Sequence, residues 1–204
     1  MKFVSHLDMN RYMSRIIKLA RIPVWFTEGF NPHIYITFAL PLSLGFDSEC
    51  ECVDFKIIQD DFDDKKIIDA INAVATGGIE FFKVGEPQMK PSAIQYAEYN
   101  IEFDCEAAQI SRFLEFLKNE HIIVSKKGKK GKITEIDMAE KIKSVNIFED
   151  GIITTVKMIL PAGSTENFNP NLLTMAFETE FNTALPPHSF IRKALFDADM
   201  QEFK

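Results

Sequence analysis

At 204 residues the chain has room for one large domain or two of roughly 100 residues each. Hydrophobic residues make up 46% of it and phenylalanines number 19, enough for packed cores and against a disordered chain. A net charge of −7 excludes a protein that coats nucleic acid over its whole surface, and no run approaches the ~18 apolar residues of a membrane helix.

Ser5, with Asp8 three residues on, has the form of a helix N-cap. Apolar residues follow at Met9, Tyr12, Met13, Ile16, Ile17 and Ala20, the spacing of one buried helical stripe. Arg11, Ser14, Arg15 and Lys18 take the opposite face, and Pro23 ends the helix. A short strand is expected over 24–27 and a turn over 28–32, where Gly29 is free to take positive φ. Strands over 33–40 and 49–58 then form a hairpin, with 41–48 as its long connecting loop. Residues 64–75 read as a helix with Ile67, Ile68, Ile71, Val74 and Ala75 inward, closed by Gly77-Gly78, and 79–84 as a strand.

The prolines and lost periodicity of 85–92 mark a linker, giving subdomains over 1–86 and 96–204 joined by 87–95. Beyond it the pattern restarts: strand 96–103, helix 107–119, strand 122–125, an irregular stretch to Glu149, and strand 152–160. Asn169 caps a helix beginning at Pro170, and strand 190–196 closes the chain. Both halves read approximately as β-α-β-β-α-β, so the expected fold is α+β with two tandem ferredoxin-like (βαββαβ) subdomains. The first half has no clear opening strand before Ser5. The chain is therefore expected to lack its natural start, with a first sheet that is rearranged or completed in a homodimer.

Five segments form a distinctive combination: Lys2-Phe3-Val4-Ser5-His6-Leu7-Asp8, Pro23-Val24, Gly29-Phe30-Asn31-Pro32-His33, Phe38-Ala39-Leu40-Pro41-Leu42 and Ser48-Glu49. The combination resembles the family called domain of unknown function 2344, found fused to, or encoded beside, B12-type radical SAM proteins in bacteria. The resemblance is dense over 2–54 and colinear beyond, through Asp137, Asn169-Pro170 and Ile191-Arg192. It implies a radical SAM protein as partner. Members of that family carry a further strand ahead of the first motif, and this sequence departs from them there. The paired layout is also similar to the RAMP superfamily of CRISPR RNA-processing proteins, a likeness of fold alone.

The strongest candidate site joins Ser5, His6 and Asp8 to Phe30, Asn31 and His33, with Arg11 or Arg15 beside them. Such a set can bind a phosphate or polarise a hydroxyl. A plainer reading makes Ser5 and Asp8 a cap and Asn31 a turn residue, but neither role calls for histidine, and His6 and His33 are expected to lie together. From Met9 to Arg21 there are four cations and no acid, so the Arg11, Arg15, Lys18 stripe suits phosphate contacts as well as a solvated face. Residues 126–132 hold five lysines and two glycines, and Lys127, Lys129 and Lys130 suit either a nucleic-acid arm or a solvated hairpin tip. Tyr12, Trp25, Phe26, Phe30 and Tyr35 are available to stack bases, although most are expected in the core.

Cys50 and Cys52 flank Glu51 and read as half-buried thiols; with no HxH, HxxxH or CxxC spacing, no metal site is expected. Three cysteines without the radical SAM triad hold no iron–sulfur cluster, so no cofactor is expected in this chain. Their odd number argues for a reducing, cytoplasmic setting. The leading expectation is a non-catalytic module that binds RNA or presents a substrate to a radical SAM enzyme, in tRNA or rRNA modification. One rival is a metal-independent endoribonuclease, with His6 or His33 as general acid or base and Arg11 or Arg15 steadying the phosphorane. The other is a purely structural adaptor.

Overall fold

A computed structural model describes residues 2–58, 63–127 and 133–204, and at 126, 127 and 133 the backbone alone. In chain order its elements are α1 (His6–Leu19), β1 (Ile36–Phe38), β2 (Phe46–Ser48), β3 (Val53–Phe55), α2 (Asp64–Asn72) and β4 (Tyr96–Phe103). They continue with α3 (Ser111–Phe116), β5 (Ile123–Lys127), β6 (Ile133–Asp137), β7 (Ser144–Asp150), β8 (Ile153–Pro161), α4 (Asn171–Phe181) and β9 (His188–Phe196). The fold is mixed α+β, with four α-helices and three sheets among the described residues. No helix among them is long and apolar enough to cross a membrane. The chain forms two compact units, one of Met1–Gly45, Glu51–Pro91 and Lys204, the other of Phe46–Cys50 and Ser92–Phe203.

The first unit is built on α1. Its stripe behaves as the spacing predicts: Met13, Ile16 and Ile17 are buried, and Met9, Tyr12 and Ala20 pack against the same core. Ile67 and Ile71 of α2, with Ile22, Val24 and Ile34, complete the buried set. The helix stops before Pro23, because Arg21 turns left-handed at φ 56° and the Ile22 N–H reaches back to Ile17 O at 3.4 Å. Tyr12, midway along α1, ties that helix to the segment after α2, its hydroxyl donating to Thr76 O and accepting from Thr76 N, both at 2.8 Å.

The strands of this unit are shorter than expected. Among the described residues, only Ile36–Phe38 and Val53–Phe55 pair as a ladder, antiparallel, extended by single bridges at Val24–Ile57 and Phe26–Ile34. The expected strand over 79–84 does not form, for a specific reason. Asn72 at the end of α2 accepts from the Phe81 N–H at 2.8 Å and donates to Phe81 O at 2.7 Å, satisfying both groups that a ladder would use. Replacing Asn72 with alanine should lower stability by roughly 1–3 kcal/mol, because two backbone groups lose their partners. Asn72→Asp, which keeps the acceptor alone, should recover part of the loss in a urea titration.

The second unit is a five-stranded sheet in the order β2-β9-β4-β8-β7. Its β9-β4-β8-β7 part is antiparallel throughout, whereas β2 runs parallel to β9. Alternate residues of β4 (Ala97, Tyr99, Ile101 and Phe103) and of β8 (Val156, Met158 and Leu160) are buried on one face. Rings from α3 and α4 pack there: Phe113 lies 5.7 Å from Phe103 and 5.4 Å from Phe177.

Two further expectations fail in this unit. The loop over 41–48 contains β2, where Phe46 is buried, stacked 4.9 Å from Phe190 and edge-on to Tyr99 at 6.0 Å. The Glu49 N–H carries the pairing on to Arg192 O at 3.0 Å, which also takes 49–50 out of the strand expected over 49–58. The stretch up to Glu149 is not irregular but holds β6 and β7. Most of β7 is exposed, Ile147 and Phe148 included, so no buried alternation marks it in the sequence.

Candidate functional site

The site grows from the start of α1. Ser5 caps the helix, its Oγ accepting from Asp8 N at 3.2 Å and donating to Asp8 Oδ2 at 2.7 Å, and Arg11 Nη1 reaches Asp8 Oδ1 at 3.0 Å. The Ser5 hydroxyl, and after it Arg11, hold the Asp8 carboxyl below the usual carboxylate range. Ser5 and Asp8 are thus engaged in capping, with Arg11 drawn to them.

One turn further on, the cationic face opens onto a groove of about 730 Å³, within the size range of small-molecule sites. The helix wall is Asn10, Arg11, Ser14, Arg15, Lys18 and Leu19; the facing wall is His33, Ile34, Tyr35 and Ile36. This follows from the core. Ile34 packs against the stripe of α1 from below, and Ile36 against the same cluster, which stands their segment beside the helix. Arg15 makes no ion pair or hydrogen bond among the described residues. Lys18 Nζ sits 5.5 Å from the centre of the Phe26 ring, a cation–π contact that leaves its charge uncompensated by acid.

His33 is held at the rim by the turn preceding it. Its Nδ1 lies 3.0 Å from both Thr27 Oγ1 and Asn31 O, while Thr27 N donates to His33 O at 2.8 Å. A carbonyl only accepts, so Nδ1 carries the proton and the neutral ring keeps its lone pair on Nε2. Nε2 has no protein partner among the described residues. Phe30, at the tip of this turn, is fully exposed, and Tyr35 (55%) and Leu19 (54%) are exposed along the groove.

His6 does not belong to this groove. Its Nε2 takes a hydrogen bond from Asn10 Nδ2 at 3.1 Å, and its ring stands edge-on to Phe38 at 5.3 Å. Phe38 is five residues from His33 along nearly extended chain, about 16 Å at the rise of a strand. The two histidines have different partners, Asn10 and Phe38 for His6 and Thr27 and Asn31 for His33, and of the two only His33 lines the groove. Of the expected site residues, Arg11, Arg15, Lys18 and His33 come together; Asn31 contributes its carbonyl to His33, and Phe30, which does not line the groove, is on the turn before His33. Lys127 ends β5 by its backbone, and Lys129 and Lys130 lie outside the described residues. Asn10, Ser14 and Leu19 carry no functional expectation from the sequence, and Tyr35 is expected only as one of several rings available for stacking. Helical spacing signals Ser14, three residues from Arg11 and four from Lys18, and Asn10, four residues before Ser14.

Among the described residues no group of three or more His, Cys, Asp or Glu is placed to hold a metal ion. The second unit holds a histidine–carboxylate pair, His121 with Asp137. Asp137 accepts from Ile122 N at 2.9 Å and Ala139 N at 3.0 Å, and its Oδ2 lies 2.7 Å from Nδ1 of the exposed His121. The Ile122 N–H, then His121, hold Asp137 below the ordinary carboxylate range. A depressed carboxylate stabilises the native state above its unfolded pKa of about 3.9. That contribution is lost as pH falls through the lower folded value. Stability should therefore drop on the acid side of about pH 4, and Asp137→Asn should flatten part of that limb in pH-dependent denaturation. Asp54, raised by burial, acts with the opposite sign.

Fold and groove together define an α+β protein with an open, cationic surface groove. Over residues 1–170 the chain matches the family described as "Uncharacterized protein conserved in bacteria (DUF2344)", and it belongs to that family. Comparison with curated proteins gave no match.

Proposed function

We propose that this chain is a non-catalytic RNA-binding module that presents RNA to a radical SAM enzyme, with the α1 groove as its grip. The observation that carries the reading is the convergence of Arg11, Arg15 and Lys18 on one groove wall in a chain of net charge −7. In an acidic protein such a concentration of cations steers a polyanion to one place. The enzyme supplies the radical chemistry. The tandem ferredoxin-like reading draws its support from the second unit, where β4, α3, β7, β8, α4 and β9 run in βαββαβ order. The first unit lends it only a two-stranded ladder among the described residues.

The endoribonuclease reading calls for an acid and a base on one phosphate, and of the two histidines only His33 lines the groove. The adaptor reading draws on the exposed Ile147, Phe148, Ile152 and Ile153 of the β7–β8 hairpin. Labelled total tRNA, scored for retention and cleavage together, separates the three. Retention without cleavage, falling roughly tenfold between 50 and 200 mM salt, is expected from two to three phosphate contacts. Cleavage would establish the endoribonuclease, and neither effect the adaptor.

A further inference from the structure

The cations of the groove account for phosphates, but not for what stands opposite them. Tyr35 faces the groove with more than half of its surface open, and Trp25 stands edge-on to it, ring centres 6.5 Å apart. Phe30 offers a wholly exposed ring on the turn that His33 pins to Thr27 and Asn31. The neighbouring rings are already engaged by cations: Lys18 lies over Phe26 and Lys56 over Trp25, each at 5.5 Å. Tyr35 and Phe30 have no such cover among the described residues.

From this arrangement we infer that the groove takes an unpaired RNA strand, with a base stacked on Tyr35, a second against Phe30, and the intervening phosphates on Arg15 and Lys18. The inference rests on the RNA-binding reading above and narrows it. In a duplex the bases are stacked on one another and their faces are closed, so an exposed protein ring gains nothing from it. An unpaired base brings an open π-face, and aromatic rings beside a cationic track are the means by which single strands are held. The lone pair on His33 Nε2 and the hydroxyl of Ser14, both on the groove wall, offer an acceptor and a donor for a 2′-hydroxyl between them.

The test is fluorescence anisotropy with one labelled 12-nucleotide RNA, alone and annealed to its complement, against wild type, Tyr35→Ala, Tyr35→Phe, Phe30→Ala and Arg15→Glu/Lys18→Glu. The single strand should bind and the duplex should bind at least tenfold more weakly. Tyr35→Ala should weaken single-strand binding by roughly tenfold without altering its salt dependence, and Tyr35→Phe should restore it. Phe30→Ala, at a position too exposed to disturb folding, should weaken it by several-fold. The double charge reversal should instead flatten the salt dependence. Equal binding of duplex and single strand, or an affinity within twofold of wild type in both alanine variants, overturns the stacking inference while leaving RNA binding in place. Binding of neither RNA by the wild type overturns the RNA reading itself.

Discussion

Replacing Arg11, Arg15 and Lys18 together with glutamate is expected to abolish retention of tRNA while leaving the fold intact. The three side chains stand on one wall of the groove, so reversal turns a track that attracts phosphates into one that repels them. None of them contributes to the core, which α1 meets through Met13, Ile16 and Ile17 on its other side. Circular dichroism and thermal midpoint should thus stay close to wild type. Retention that survives the triple change would move the RNA contact away from α1, most directly to the lysine-rich segment at 126–132.

The second large effect concerns β2. Phe46→Ala should lower the stability of the second unit by about 3–5 kcal/mol, the usual cost of truncating a buried phenylalanine. The ring fills the space between Phe190 and Tyr99, and three residues of parallel pairing would not hold the strand without it. Phe46→Leu should recover more than half of the loss. Urea denaturation followed by far-ultraviolet circular dichroism measures both. A loss below about 1 kcal/mol would mean that β2 rests on the sheet without being packed into it.

The elements legible in the sequence are those whose determinants are local. For α1 the cap, the three-and-four spacing and the basic face all lie within 20 residues, and each is where the sequence places it. β4 alternates cleanly because one of its faces is buried along its whole length. The groove was legible on its helix side and, across from it, at His33 and Tyr35, but not as one groove. Its other wall depends on Ile34 and Ile36 docking onto the α1 core, a tertiary event with no local signature. The strand expected over 79–84 has an adequate composition but loses the competition to Asn72, a single side chain nine residues earlier. β2 is invisible for the opposite reason: three residues pair with a strand 144 positions away, and nothing in Phe46-Asp47-Ser48 reports on Phe190-Ile191-Arg192.

That last separation has a meaning for how the molecule is made. Ser48 leaves the ribosome 144 residues ahead of Arg192, which at roughly 5–20 residues per second is about 7–30 s of synthesis. During that interval the Phe46 ring has no Phe190 to lie against, and the antiparallel strands between them have time to assemble first. Of the strands in this sheet β2 is translated first and β9 last, so the oldest and the youngest pair with each other. One edge of the sheet can close only when β2 meets a strand made 144 residues after it.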